Sequence, residues 1–147
     1  MSRKLSLVLI IVVGLGALVY LLLGNPLVVR HNHQLHGALT ALEDGVAVPL
    51  DAVVPFPWET AYSFPAYTTR AEIEETIGAR SRNIGESVSE EMRSVIFLHR
   101  GKVTASICAY PGNLGYSLEF SSPVTYGDGT VFAVEHRDGV VYVRKAE

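Results

Sequence analysis

Nineteen consecutive residues, LSLVLIIVVGLGALVYLLL from Leu5 to Leu23, carry no charge, and only Ser6 and Tyr20 bear a polar group. As an α-helix rising 1.5 Å per residue, this run extends about 28 Å, the thickness of the hydrocarbon core of a bilayer. It is longer than the apolar stretch of a cleavable signal. Its small residues, Gly14 and Gly16, fall inside the run rather than at a cleavage site after it. The reading is a retained anchor. No cysteine follows the run, which excludes a lipoprotein anchor, and the two glycines are too close for a G-x-x-x-G dimer pattern. Arg3 and Lys4 precede the span and only Arg30 follows it closely, so the charge bias predicts a single-pass protein of the cell membrane. Its N-terminus is expected in the cytoplasm and its C-terminal domain outside it. Residues 1–24 are thus the anchor and 25–147 the extracytoplasmic domain.

That domain holds all 15 acidic and 10 of the 12 basic residues, a net charge of −5 with neutral histidines. The sequence has no basic run, which argues against nucleic acid and against anionic headgroups as partners. A lone cysteine, Cys108, cannot form an internal disulfide, so stability must come from a core, and about 120 residues can bury one.

Gly24-Asn25-Pro26 ends the first helix. Leu35, Ala38, Leu39 and Leu42 recur at helical spacing, predicting an amphipathic helix from about His33 to Asp44 that Gly45 closes. Three prolines in VAVPLDAVVPFPW then impose an extended, edge-like segment. In WETAYSF, Trp58, Thr60, Tyr62 and Phe64 alternate with Glu59, Ala61 and Ser63, the period of a strand. Thr69 and Glu72 fit a capping box, Ile73 and Ile77 share the face of a two-turn helix, and Gly78 stands at its end. The polar stretch 79–91 reads as a mobile loop. Beyond it the pattern is all strand: SVIFLHR, a turn at Arg100-Gly101, KVTASICAY, a PGNLG loop, YSLEFSS, and a final hairpin turning at Asp138-Gly139. The expected fold is α+β: a transmembrane helix, then a small domain with two short helices packed on one face of a 4–6 stranded antiparallel sheet.

Candidate chemistry is sparse. In HNHQLH, His33 and His36 lie three apart on one helical face with His31 beside them, a possible site for a weakly held divalent transition metal but otherwise a polar face beside the membrane. Cys108 with His99 or His136 is the nucleophile–base alternative, although ASICAYP reads as a strand that buries its cysteine. Glu74-Glu75 and Glu90-Glu91 splay rather than converge, YGDGT reads as a turn, and no phosphate-loop, serine-hydrolase or zinc-protease string occurs. The expectation is no enzyme and no cofactor, with a small-ligand or metal-binding sensor using His31, His33 and His36 as the alternative function.

The string PFPWETAYSFPAYTTRAEIEETIG, residues 55–78, concentrates aromatic side chains ahead of the capped helix. The main reading is core, and a patch of Phe56, Trp58 and Tyr67 binding a protein at the membrane surface is the functional one, with 79–91 as a second contact candidate. The string resembles a stretch of small exported or membrane-anchored bacterial proteins of unassigned function. More loosely, the architecture is similar to small outer-membrane assembly lipoproteins and β-lactamase-inhibitor-type domains, without the lipid-bearing cysteine of the former. The resemblance carries no catalytic residue and implies a binding role.

Overall fold

The apolar run is one helix, α1 (Arg3–Leu23), long and apolar enough to cross a membrane, and none of it is buried against the rest of the chain. The structure, a computed structural model, describes residues 3–121 and 123–147. Met1 and Ser2 of the expected anchor and Ser122 of the expected YSLEFSS strand lie outside the described residues.

Helix α1 is followed by α2 (Pro26–Thr40) after only two residues. Gly24 has a left-handed backbone (φ 74°) and donates its N–H to Tyr20 O, and the Asn25 side chain then caps α2 with Pro26 in its first turn. These punctuation residues start the second helix seven residues before the His33 expected from leucine spacing, because the cap rather than the apolar periodicity sets the boundary. There follow β1 (Ala47–Pro49), a single-turn α3 (Leu50–Val53), β2 (Thr60–Phe64) and α4 (Arg70–Ile77). Helix α4 has the predicted capping box: Glu72 N–H reaches the Thr69 hydroxyl and the Glu72 carboxylate accepts Thr69 N–H. Gly78 closes it in the left-handed region. The remainder is β3 (Arg93–His99), β4 (Lys102–Ala109), α5 (Pro111–Leu114, where a loop was expected), β5 (Tyr116–Glu119), β6 (Val124–Thr125), β7 (Val131–Arg137) and β8 (Val140–Lys145). Positive φ at Arg100-Gly101 and Asp138-Gly139 makes both predicted hairpin turns.

The strands form two four-stranded sheets rather than one, β1-β7-β8-β5 and β4-β3-β2-β6. The β5–β8 pair is parallel, with Tyr116 opposite Val141 and Glu119 opposite Arg144, so the expected purely antiparallel arrangement does not hold. Alternation within a strand fixes its faces but not its neighbour: β5 pairs with β8, while β6, between them in the chain, joins the other sheet.

The β4-β3-β2-β6 sheet is covered on both sides, so all five residues Ser94–Leu98 of β3 are buried. Val95, Phe97, Ala105 and Ile107 join the main core between the two sheets, with Phe132, Val143, Leu118 and the Leu35 and Leu39 face of α2. Ile96, Leu98 and Val103 join a smaller core with Ile73 and Ile77 of α4, Phe64, Val28 and Ile84. Trp58 precedes β2 and belongs to the main core with Ala61, whereas Tyr62 and Phe64 pack with the smaller one. The expected single aromatic face is therefore split between two cores.

Candidate functional site

Strand β4 lies at an edge, where unpaired backbone groups need partners. A register shift leaves Thr104 extra, since Phe97 pairs with Ala105 and Leu98 with Val103. The carbonyl of this bulged residue accepts a 2.7 Å hydrogen bond from His31 Nδ1, which therefore carries the proton. One residue on, the Asn32 amide donates to Ser106 O and accepts from Ser106 N–H at 2.9 and 3.0 Å, standing in for a neighbouring strand. His31 is buried and stacks on Phe56 at 4.5 Å between centroids. His33 and His36 are exposed on α2, with ring centroids 6.5 Å apart. The structure thus divides the histidine cluster: His31 is committed to β4, and His33 and His36 face solvent. Among the described residues no group of three His, Cys, Asp or Glu side chains is placed to hold a metal ion.

Cys108 is half-buried on β4, its Cβ 3.1 Å from where a Cβ on Gly85 would stand. The register places Cys108 opposite Ser94 and Lys102 opposite His99, so His99 lies about 17 Å along the sheet from the thiol. His136 belongs to the other sheet and its Nε2 donates to Leu42 O. Neither histidine is placed by these contacts as a base for Cys108.

The aromatic stretch is also divided. Phe56 and Trp58 are 6 % and 4 % exposed, whereas Tyr67 is 59 % exposed in a left-handed turn (φ 64°) beyond the opposite end of β2. Phe56 and Trp58 each meet Phe97 edge to face at 5.5 and 5.6 Å, and Trp58 meets Tyr126 likewise at 5.4 Å. With the His31–Phe56 stack, five rings run in contact from α2 to the surface. At the outer end an open hollow of about 490 Å³ is lined by Pro55, Phe56, Pro57, Trp58, His99 and Tyr126, with Asp51 and Val54 beside them. Tyr126 is 57 % exposed and was not singled out from the sequence, where it stands in a glycine-rich turn with no aromatic neighbour.

Two carboxylates hold that turn. Asp51 accepts the N–H of Gly127, and Asp128 accepts those of Thr125 and Thr130, all at 2.8 Å. The bonds from Thr130 and Thr125 keep the Asp128 carboxyl below the ordinary range. The Trp58 indole N–H is buried with no hydrogen-bond partner among the described residues. A second orphan is the Tyr116 hydroxyl, whose burial raises its pKa above the usual phenol value. It borders a small cavity between the sheets that also touches Leu35, Val95 and Leu114.

The segment 79–91 forms no helix or strand but is fastened to its surroundings. Ile84 is fully buried, Arg70 Nε donates to Ile84 O, Arg70 N–H donates to Glu86, and the Ser87 hydroxyl donates to Met92 O. Comparisons with protein-family models, with curated proteins and with solved structures find no match for the chain.

Proposed function

We propose that this is a single-pass membrane protein, cytoplasmic at its N-terminus, whose extracytoplasmic domain holds a protein partner at the membrane surface without catalysing a reaction. The observation that carries the reading is an apolar helix with no part buried, joined by two residues to a folded domain. Such a joint tethers the domain close to the bilayer, which raises the effective concentration of a weak partner. Of the aromatic stretch, Phe56 and Trp58 contribute from the wall of the hollow, and Tyr126 takes the exposed place at its rim. Rigid aromatic faces set among prolines suit an extended segment of a partner, which gains apolar contact at little loss of side-chain freedom. Tyr67 belongs to a separate patch.

The test is a photo-crosslinking residue placed at Tyr126 or at Tyr67 of the full-length protein in native membranes. The reading expects a discrete adduct from position 126 that a Tyr126→Ala pull-down also loses while circular dichroism is unchanged. Identical patterns from both positions, or none from 126, would remove the hollow from consideration.

A second reading, a divalent-metal sensor, has its support in the stacked, exposed pair of His33 and His36. Zinc calorimetry on the wild type and on His33→Ala/His36→Ala decides it: equal heats from both exclude the pair as the site.

A further inference from the structure

Three arginines from the single stretch 70–82 meet where the anchor joins the domain. Arg70 begins α4, Arg80 and Arg82 follow its C-terminal glycine, and with Glu74 and Ser81 they line an open hollow of about 250 Å³ whose remaining wall is Tyr20 of α1. All three arginines are exposed. Arg80 and Arg82 form no ion pair among the described residues; the carboxylates nearby are Glu74 in the same hollow, Glu86, which accepts the Arg70 N–H at 3.1 Å, and Glu75, which shares an adjoining hollow with Arg80. Arg70 gives its Nε–H to Ile84 O at 3.0 Å, which fixes its guanidinium and leaves the terminal NH₂ groups for other acceptors.

Position gives this cluster its meaning. Tyr20 stands three residues before the end of α1, about 4.5 Å along the axis, and tyrosine favours the boundary between hydrocarbon and headgroups. Side chains that share a hollow with Tyr20 therefore lie at the height of lipid phosphates. The joint cannot easily swing them away. Asn83, next to Arg82, accepts the Asn25 N–H at 2.9 Å and reaches Leu23 O at 3.5 Å, and the adjoining Ile84 is wholly buried.

We infer that this hollow is a clamp for the phosphate of an anionic lipid headgroup, with Arg80 and Arg82 as principal donors and Arg70 as the third. Guanidinium groups offer paired, planar donors that match phosphate oxygens. The rest of the domain is acidic, so the clamp is a local attraction on a surface the bilayer otherwise repels, and it sets which face of the domain turns toward the membrane. The inference rests on α1 spanning a bilayer.

The experiment uses the full-length protein in nanodiscs of phosphatidylcholine, or of phosphatidylcholine and phosphatidylglycerol in equal amounts. Amide exchange is read in peptides covering 79–86, and retained lipid is counted by native mass spectrometry. The clamp predicts slower exchange and retained phosphatidylglycerol in the anionic discs. Both should be lost in Arg80→Gln/Arg82→Gln, by about fivefold in retention per arginine removed. Arg137→Gln, which removes a charge at the distant β7–β8 turn, should change neither. Equal exchange in the two bilayers, or slowing that survives in the double variant, overturns the inference. So does slowing produced in phosphatidylcholine discs by inorganic phosphate alone, which would make the site one for a free anion. Alkaline carbonate extraction separates the two readings: release from membranes removes the span and the clamp with it, whereas a retained protein indifferent to lipid charge loses only the clamp.

Discussion

The two sides of the β4-β3-β2-β6 sheet bury apolar residues for different purposes. On one side the main core joins segments far apart in the chain: Leu35 and Leu39 of α2, Trp58, Phe97, Leu118, Phe132 and Val143. On the other side Ile96, Leu98 and Val103 of β3 and β4 meet Phe64, Ile73, Ile77 and Ile84, which come from one stretch of the chain, together with Val28 from the first turn of α2. The main core closes the domain. The smaller one lies under the joint with the anchor, because Ile84 is next to Asn83 and Val28 is three residues past Asn25. A change confined to the smaller core should loosen the domain's attachment before it dissolves the sheets.

The largest expected effect is in the main core. Phe97 is fully buried and meets both Phe56 and Trp58 edge to face, so Phe97→Ala should cost about 3–5 kcal/mol and unfold both sheets together in a denaturant titration. Ile73→Ala should cost about 2–4 kcal/mol, and amide exchange should rise over 70–91 while β7 and β8 stay protected. If β7 and β8 lose protection equally, the two cores are one cooperative unit and the contrast drawn above fails.

A sharper probe lies at the joint. Gly24 has φ 74° and an added Cβ would come within 2.7 Å of Asn83 Oδ1, so Gly24→Ala should cost about 1–2 kcal/mol and detach the Asn83 bond. Adding Asn83→Ala should relieve the clash but not the backbone strain, and a double-mutant cycle reads the difference. The smallest effect belongs to the α4 cap. Glu72 accepts the Thr69 N–H and hydroxyl, and its carboxyl is held below the ordinary range, mainly by the backbone bond. A folded-state pKa below the unfolded one stabilises α4 above the usual carboxylate range, and that contribution is lost as pH falls through the folded value. Amide exchange in α4 should therefore quicken on acidification, and Glu72→Gln should flatten the change. Thr69→Ala should destabilise the helix by about 1 kcal/mol.

Much of the fold was legible from local chemistry. The capping box at Thr69-Glu72, the left-handed Gly78, the Asp138-Gly139 turn and the apolar span each depend on residues within a few positions of one another. The start of α2 was legible too, in Asn25-Pro26, although leucine spacing placed it later. The assignment of Trp58, Tyr62 and Phe64 to one face failed for a geometric reason: the ladder begins at Thr60, so period-two counting does not extend back to Trp58. The surroundings of the candidate site residues were not legible at all. His31 differs from His33 and His36 only in what lies opposite it, and that is the carbonyl of a bulge 73 residues away.

The sequence by itself determined an apolar helix long enough to span a bilayer, an α+β domain after it, and the local caps and turns, since propensity, periodicity and hydrogen bonding within a few residues suffice for these. Only the tertiary structure decided that there are two sheets, that Tyr126 meets Trp58, and that Arg70, Arg80 and Arg82 gather beside Tyr20. Each of these depends on which distant segments pack together, and apolar patterning is nearly silent on the choice because any buried face can cover any other.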